Sequence, residues 1–419
     1  MNRSLWGGSC GQRLARESDG TNMSMPWMAR EKRNRARCDI SRGGKEDMEL
    51  SQQNAYDMLT GVGILGTGGG GDPVGFGKPM VDWDYNRGRR YELTDPEAID
   101  DDAFIVCGGY MGSVTAFKSI GDMLEAWEDR YELHEAMKMS ERITGKQVNH
   151  LVPFELGGTN TPVMLSLAAR AGITTVDGDG LGRSAPETQM ISFVGYGIDL
   201  CPMPVVSKNG SRIIVDKTSS PALADEIGRF AVVEDGGAGA NNHYFQSGAQ
   251  LKKAVIPNSI SKSIELGEAI RDANENNANP IDAYLDVMDG KYLAHATIEQ
   301  VEGEDRAGHW HVMVDLDSNE LEGDLQIVVK NEYMMAACDG EPVVMFPDLI
   351  CLHNPDNGHG IMSSDLEEGM DLIVTAIPAH ERLRYAGSTE IGKKAFSPAR
   401  YGHPELEYEP MEKLLKNLH

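Results

Sequence analysis

The chain has 419 residues, more than a single hydrophobic core usually organises, so we expect two domains. It carries 39 Lys and Arg residues against 65 Asp and Glu residues, and the net charge of -26 disfavours nucleic acid and anionic membranes as partners. No apolar run approaches the roughly 20 residues that span a bilayer, so we expect a cytoplasmic protein with no membrane segment.

Residues 1–47 differ in composition from the rest of the chain. They contain ten basic residues and six acidic ones, and they lack hydrophobic periodicity. This composition predicts a disordered basic extension, with Met48 as an alternative start of the protein. A transit peptide is the other interpretation, which the acidic residues Glu17 and Asp19 disfavour.

A glycine-rich loop, Gly66 to Asp72, which we call the glycine loop, follows a helix that we predict from residue 51 to about 59. Consecutive glycines let backbone N–H groups converge on an anion because no Cβ atom stands in the way. A flexible linker is the alternative. No Gly-Lys-Ser/Thr follows, which disfavours a P-loop, and a helix instead of a strand precedes the loop, which disfavours a dinucleotide fingerprint. The candidate substrate-binding residues here are Thr67, Gly68, Gly69, Gly70, Gly71 and Asp72.

The next elements alternate between strands and helices. We predict strands at 103–107, 151–154 and 173–176, with helices at 117–143 and 163–170 between them. This order predicts an N-terminal α/β domain, a Rossmann-like three-layer unit, over residues 48–217.

Polar side chains follow two of these strands. Glu155 and Asn160 come after the strand at 151–154, and Asp177 and Asp179 come after the strand at 173–176. Parallel strands end at the same edge of a sheet, so these side chains should lie close together. Asn160 also suits a helix N-cap, which would make it purely structural.

The loop Asp177-Gly-Asp-Gly-Leu-Gly-Arg-Ser-Ala-Pro-Glu-Thr188, which we call the acidic loop, concentrates ionisable groups. Carboxylates held close together separate in pKa, so one can act as a base and another as an acid, or they can hold a divalent metal ion. Arg183 suits either a substrate carboxylate or the side chain of Glu187. The candidate catalytic residues are Asp177, Asp179, Glu187 and Glu155, and Asn160 and Arg183 are candidate substrate-binding residues.

The domain boundary is predicted near residue 218. Short strands at 191–195, 204–207 and 212–215 precede it, and a second glycine-rich loop at 235–243, with Asn241 and His243, follows it.

We predict one helix before that loop, at 222–227, and one after it, at 261–274. From about residue 286 strand patterns dominate, and they predict a β-rich C-terminal domain over residues 218–412, with a tail at 413–419. His309 and His311 lie on the same face of one predicted strand. They are either a pair of metal ligands or part of a solvent-exposed face. The predicted strands are 292–299, 309–316, 324–331, 342–352 and 370–375.

Five motifs of this chain resemble those of the S-methyl-thiohydantoin desulfurase family, also described as hydantoin-utilisation proteins. They are Leu65-Gly-Thr-Gly-Gly-Gly-Gly-Asp-Pro73, Glu155-Leu-Gly-Gly-Thr-Asn160, Asp177 to Glu187, Phe346-Pro-Asp-Leu-Ile350 and Tyr401-Gly-His-Pro-Glu-Leu-Glu-Tyr-Glu-Pro410. The resemblance implies an α/β domain followed by a β-rich domain, and cleavage of a carbon–sulfur bond on a hydantoin-type ring.

Three classes of function are therefore open. The first is a hydrolytic desulfurase that releases a thiol by adding activated water at the sulfur-bearing carbon, or a cyclic-amide hydrolase without sulfur chemistry. The second is an enzyme that binds a nucleotide phosphate through the glycine loop. The third is a non-catalytic, small-molecule-binding regulatory protein. We expect a small-molecule substrate, a possible divalent metal ion and a possible homo-oligomer.

Overall fold

Two large β-sheets share one apolar core in the described chain, which comprises residues 47–112, 120–306 and 308–417 of a computed structural model. The predictions for residues 1–46 and for the start of the helix at 117–143 lie outside these residues. The helices in chain order are α1 Gln52–Leu65, α2 Lys78–Asn86, α3 Ile120–Asp129, α4 Glu132–Thr144, α5 Asn160–Ala171, α6 Ser192–Gly195, α7 Pro221–Glu234, α8 Gly248–Ala254, α9 Ser259–Glu275, α10 Pro280–Met288, α11 Glu381–Ser388, α12 Glu390–Ala395 and α13 Met411–Leu414.

The strands fall into two large sheets and one short pair. In chain order they are β1 Met48–Glu49, β2 Glu92–Thr94, β3 Phe104–Gly112, β4 His150–Pro153, β5 Thr174–Val176, β6 Gly178–Asp179, β7 Met203–Ser207, β8 Arg212–Val215, β9 Ala238–Ser247, β10 Ile256–Pro257, β11 Lys291–Arg306, β12 His309–Asp317, β13 Leu325–Lys330, β14 Glu332–Cys338, β15 Glu341–Met345, β16 Leu349–His353 and β17 Asp371–Ile377.

The first sheet is mixed and has the order β1-β2-β5-β4-β3-β9-β7-β8. Its parallel part, β2 to β3, contains the predicted unit β4–α5–β5, and the remaining pairs are antiparallel. Alternate residues of β3 enter two different cores, with Phe104 and Val106 packed towards α3 to α5 and Ile105 and Cys107 packed towards α1 and α7. Helices therefore cover both faces of the sheet, as predicted for an α/β region.

Strand β9 lies in the middle of this first sheet, although it follows the predicted boundary near residue 218. It pairs with β3 from Phe104 to Gly112 and with β7 from Val205 to Ser207, both antiparallel. The predicted loop at 235–243 is thus wrong from residue 238 onward. A segment of small and amide side chains forms a strand here because it has a pairing partner on each side, which overrides its weak strand propensity.

The second sheet is antiparallel throughout, with the order β15-β14-β13-β12-β11-β17-β16, and it curls into a half-barrel. This confirms the predicted β-rich C-terminal region. The predicted strand at 342–352 is two strands, β15 and β16, because the chain turns at residues 346–348. The core shared by the two sheets includes Val152 and Val205 from the first and Met334 and Leu349 from the second.

Helix α1 continues well past its predicted end at residue 59, because glycines in this helix serve helix packing. A Cβ atom on Gly61 would lie 2.0 Å from the backbone oxygen of Ser263 in α9. The two helices therefore approach each other more closely than any residue with a side chain would allow. The gain from this packing outweighs the low helix propensity of glycine.

Two other predicted elements are also wrong. The helix at 117–143 is interrupted at Arg130 and Tyr131, where the hydroxyl of Tyr131 donates to the backbone oxygen of Val163 at 2.8 Å and fixes the break. The predicted strand at 191–195 is the short helix α6, whose Ser192 hydroxyl donates to the backbone oxygen of Ala254 at 2.6 Å. No helix in the described residues is long and apolar enough to cross a membrane.

We expect Gly61→Ala to destabilise the protein by about 1–3 kcal/mol, because the added methyl group must push α9 away from α1. Gly121→Ala is the matched control, since Gly121 is also helical but a Cβ atom there meets nothing within 4 Å. The control should be neutral or slightly stabilising. Urea unfolding followed by circular dichroism measures both effects, and equal midpoints for the two variants would contradict the close packing of α1 and α9.

Candidate functional site

The candidate site lies at the carboxyl ends of β4 and β5, where the sequence predicts it. Glu155 follows β4 and is buried with 5% of its surface exposed. Its Oε1 accepts from the Asn160 side-chain amide at 2.7 Å, and its Oε2 accepts from the Ser184 hydroxyl at 2.7 Å and from the Ala185 backbone N–H at 2.9 Å. The structure thus joins Glu155 and Asn160 to the acidic loop.

A carboxyl group from the second sheet completes this cluster. Glu332, the first residue of β14, is 2% exposed, and its Oε1 lies 2.8 Å from the same Ser184 hydroxyl. Its Oε2 is buried without a hydrogen-bond partner. Neither Glu332 nor Ser184 is among the site residues predicted from the sequence. The available signal was the run Lys330-Asn331-Glu332 inside an apolar stretch, but such a run also reads as an ordinary hairpin turn.

The four residues Lys330 to Tyr333, which we call the hairpin tip, insert between the glycine loop and the acidic loop. The backbone N–H of Tyr333 donates to the backbone oxygen of Thr67 at 2.9 Å, and its ring lies where a Cβ atom of Gly68 would be. A Cβ atom on Gly69 would lie 2.3 Å from Oε1 of Glu332. The consecutive glycines therefore give the hairpin tip space to dock.

The glycine loop is accordingly bound to protein groups at several of the positions predicted to bind a substrate anion. The N–H groups of Gly69 and Gly70 both donate to the backbone oxygen of Gly66 at 3.1 Å. Asp72 accepts from the N–H groups of Val74 and Gly75 at 2.8 Å. In this conformation the loop ends helix α1 and caps the next turn, and the N–H groups of Gly69 and Gly70 are used within the loop.

Arg183 is fully buried and joins the two sheets. Its Nε donates to the backbone oxygen of Ser184, and its two Nη atoms donate to Thr67 Oγ1, to the backbone oxygen of Tyr333 in β14, and to those of Pro347 and Asp348 in the turn between β15 and β16, at 2.7–3.4 Å. All five guanidinium hydrogens thus have a protein acceptor. Of the two predicted roles of Arg183, pairing with Glu187 is wrong, because the acceptors named above take its hydrogens.

Glu187 has other cationic partners. It is 1% exposed and forms close ion pairs with Lys330 of the hairpin tip and with Arg400. The side-chain amide of Gln189 also donates to it. Glu187 therefore binds the acidic loop to the second sheet and to the segment that carries the Tyr401 motif.

Asp177 and Asp179 both face the start of helix α9. Asp177 accepts from the N–H and the hydroxyl of Ser261 at 2.9 and 2.7 Å, so it satisfies an N–H group that the first turn of the helix leaves unpaired. Asp179 accepts from the hydroxyl of Ser259 at 2.6 Å and from the loop N–H groups of Leu181 and Gly182. These two carboxylates shape the acidic loop and fix it to α9.

Burial raises the pKa of three carboxyl groups at the candidate site, those of Glu155, Asp179 and Glu332. Burial raises the pKa of Glu332 to about 8, and the neighbouring Glu155 adds to this effect. Burial likewise raises the pKa of Asp179 to about 7 and that of Glu155 in the same direction, although the three donors to Glu155 oppose the rise. Shifted pKa values of interacting carboxyl groups are a frequent property of catalytic sites.

The histidines that the sequence offers as candidates, His243 and His309, are buried or hydrogen-bonded, which limits their part in proton transfer or metal binding. Burial lowers the pKa of His243 to about 3 and raises that of the facing Cys107 thiol well above its usual value, so both are neutral. The imidazole of His309 contacts the backbone oxygen of Pro186 at 3.2 Å. In the described part of the chain, no group of three His, Cys, Asp or Glu side chains is placed to hold a metal ion.

Two family models match this chain, one over each part of the fold. Residues 53–217 match the model of the S-Me-THD-like N-terminal domain, and residues 219–411 match that of the S-Me-THD-like C-terminal domain. The site described above contains residues from both matched regions. The chain belongs to the S-Me-THD-like family, as the sequence motifs predict.

A crystal structure of a protein from Chromobacterium violaceum, determined in a structural genomics programme, has a similar fold. The TM-score is 0.69 at 21% sequence identity, and the match covers 87% of this chain and 100% of that one. At this identity the likeness concerns the fold alone. The search of curated proteins found no match.

We expect Arg183→Met to destabilise the protein by about 3–5 kcal/mol, because it leaves second-sheet carbonyl groups buried without a donor and removes the link between the sheets. The control is Arg90→Met at an exposed position, which should change stability by less than about 0.5 kcal/mol. Urea unfolding measures both, and a small effect at Arg183 would show that the guanidinium does not hold the sheets together.

The raised pKa of Glu332 predicts a pH-dependent stability difference. The folded protein keeps this proton up to about pH 8, whereas the unfolded chain loses it near the ordinary value of 4.5, so the stabilisation is complete below pH 4.5 and is lost as the pH rises to 8. Relative to wild type, Glu332→Gln should therefore gain stability across this window, by at most about 1.4 kcal/mol per pH unit.

The measurement is urea unfolding of both proteins at several pH values, and the same substitution at the exposed Glu341 is the control. A constant difference between wild type and Glu332→Gln from pH 4.5 to 8 would contradict the raised pKa of Glu332.

Proposed function

We propose that this protein is a hydrolytic desulfurase that removes the sulfur substituent from an S-methyl-thiohydantoin or a related hydantoin-type ring. Membership of the S-Me-THD-like family supports the substrate class. The observation that carries the proposal is the pair of buried carboxyl groups, Glu155 from the first sheet and Glu332 from the second, that meet at the hydroxyl of Ser184.

Two carboxyl groups suit this reaction because it needs both a base and an acid. The ring carbon that bears sulfur is amidine-like, so water can add there once a base takes its proton. The tetrahedral adduct then expels the thiolate, which leaves more readily when an acid supplies a proton. Interacting carboxyl groups with raised pKa values can perform both roles near neutral pH.

Glu332 is the carboxyl group best placed to touch the substrate. Its Oε2 makes no hydrogen bond, whereas both oxygens of Glu155 accept from protein donors. Glu332 lies beneath Gly69, which is partly exposed, so we propose that the substrate enters from the side of the glycine loop.

We assign the other predicted catalytic residues a supporting role. Asp177 and Asp179 hold the acidic loop against α9, and Glu187 holds it against the hairpin tip. The Gly68 to Gly71 segment, with Asn160, remains our proposal for the substrate-binding wall. The proposed reaction uses only side chains of this chain. Binding of a divalent metal ion remains a prediction from the sequence.

The purified protein should release methanethiol from an S-methyl-thiohydantoin, detected with a disulfide reagent. We expect Glu332→Gln to lower kcat by at least about 100-fold, because the acid–base group is lost. The control is again Glu341→Gln, which makes the same chemical change at an exposed position of the second sheet. It should retain wild-type activity.

Other outcomes of this assay would support the alternatives. Ring opening without thiol release would indicate a cyclic-amide hydrolase. Ligand binding without turnover, measured by calorimetry, would indicate a binding or regulatory protein. Either result, obtained with folded wild-type protein, would overturn the desulfurase proposal.

A further inference from the structure

The hydroxyl of Ser184 lies between two carboxyl groups that come from different sheets. Its Oγ is 2.7 Å from Oε2 of Glu155 and 2.8 Å from Oε1 of Glu332. A serine hydroxyl has one hydrogen to donate, and an ionised carboxylate can only accept. If both carboxyl groups were ionised, one of these short contacts would join two oxygens with no hydrogen between them. One of the two carboxyl groups must therefore carry a proton.

The other contacts show where that proton lies. Glu155 accepts from Asn160 at 2.7 Å and from the Ala185 N–H at 2.9 Å in addition to the hydroxyl of Ser184, and this donor set suits an ionised carboxylate. Glu332 lacks such a set, since its Oε2 is buried with no partner. An ionised Glu332 would place a buried charge beside a single hydrogen-bonding side chain, that of Ser184, which is costly.

We propose that Ser184 is a proton relay in which neutral Glu332 donates to the hydroxyl of Ser184, and that hydroxyl donates to ionised Glu155. Glu332 is then the catalytic residue, and Ser184 and Glu155 are positioning residues that act through it. The catalytic part of this inference rests on the proposed function, whereas the position of the proton does not.

The charged groups around the relay agree with this arrangement. Glu332 faces Glu155 from the first sheet and the guanidinium of Arg183 from the acidic loop, and the hydrogens of Arg183 all go to other acceptors. Lys330, on the neighbouring strand, is paired with Glu187. The glycine loop brings no charged side chain to Glu332. Among these groups, Glu155 is the one carboxylate that shares a hydrogen-bond donor with Glu332, namely the hydroxyl of Ser184.

The relay lets Glu332 act first as a base and then as an acid. Two hydrogens shift together, from Glu332 to Ser184 and from Ser184 to Glu155, which leaves Glu332 ionised. Glu332 takes a proton from water as the water oxygen bonds to the sulfur-bearing carbon. It then gives that proton to the departing methanethiolate as the carbon–sulfur bond breaks. The remaining hydroxyl proton moves to the ring nitrogen, the carbonyl forms, and the reverse shift restores the pair with one proton.

The position of the proton can be tested without any substrate. Gln at position 332 can donate to the hydroxyl of Ser184 as the neutral acid does, so Glu332→Gln should leave the urea midpoint almost unchanged near pH 4.5 and raise it towards neutral pH, where the unfolded wild type becomes ionised at this position. Gln at position 155 would place an amide donor against existing donors, so Glu155→Gln should lower the midpoint much more or prevent folding. A larger loss for Glu332→Gln than for Glu155→Gln would overturn the assignment.

Infrared spectroscopy gives a second measurement that does not depend on the Glu155 variant. Near pH 6.5, below the raised pKa of Glu332, the difference spectrum of wild type minus Glu332→Gln should contain the C=O stretch of a protonated carboxyl group. No such band in the folded wild type would overturn the proposal even if thiol release is observed. The band in a protein that releases no thiol would support the proton position and refute the desulfurase.

Substitution of Ser184 tests the relay itself. Ser184→Ala should lower kcat by about 100-fold with little change in KM, and Ser184→Thr, which keeps the hydroxyl, should restore most of the activity. A bell-shaped pH profile of kcat/KM should lose the limb that belongs to Glu155 in Ser184→Ala. A variant that loses rate but keeps both limbs would show that Ser184 is only structural, and the relay would be refuted.

Discussion

The buried guanidinium of Arg183 is the interaction on which the arrangement of this protein depends. A cation taken out of water is tolerated only where acceptors surround it, and here those acceptors are Thr67 and Ser184 from loops of the N-terminal region, Tyr333 of β14 and Asp348 of the turn before β16. The position of the hairpin tip follows from this constraint. Once Tyr333 and Asp348 present their carbonyl groups to Arg183, Lys330 lies against Glu187 and Glu332 lies against Ser184. The candidate site is therefore a product of the contact between the sheets and belongs to neither alone.

The sequence predicted the parts of the fold that local patterns determine. The unit β4–α5–β5 and the antiparallel character of the second sheet follow from hydrophobic periodicity and turn residues, and both are present. The end of α1, the strand β9 and the break before α4 could not be predicted in this way. Each depends on a partner distant in sequence, namely α9, the strands β3 and β7, and the backbone of α5.

The candidate site was predictable to a similar extent. Parallel strands end at one edge, so Glu155 and the acidic loop could be placed together from the sequence alone. What the sequence could not reveal is which groups the acidic and glycine-rich motifs contact. Motif residues such as Arg183, Asp179 and Gly69 look like ligand-binding groups, and each of them also contacts either the hairpin tip or α9. Glu332, by contrast, lies in a stretch with no motif, because its role comes from its position opposite Ser184.

Strand β9 has a consequence for how this family should be dissected. The two family models divide the chain between residues 217 and 219, but β9 belongs to the second of them and supplies the strand that joins β3 to β7 and β8 in the first sheet. A truncation at that point would expose the edge of β3 and detach a hairpin. The family domains are thus units of sequence description that share a single folding unit, and exchanging one of them between relatives would also exchange the middle of a sheet.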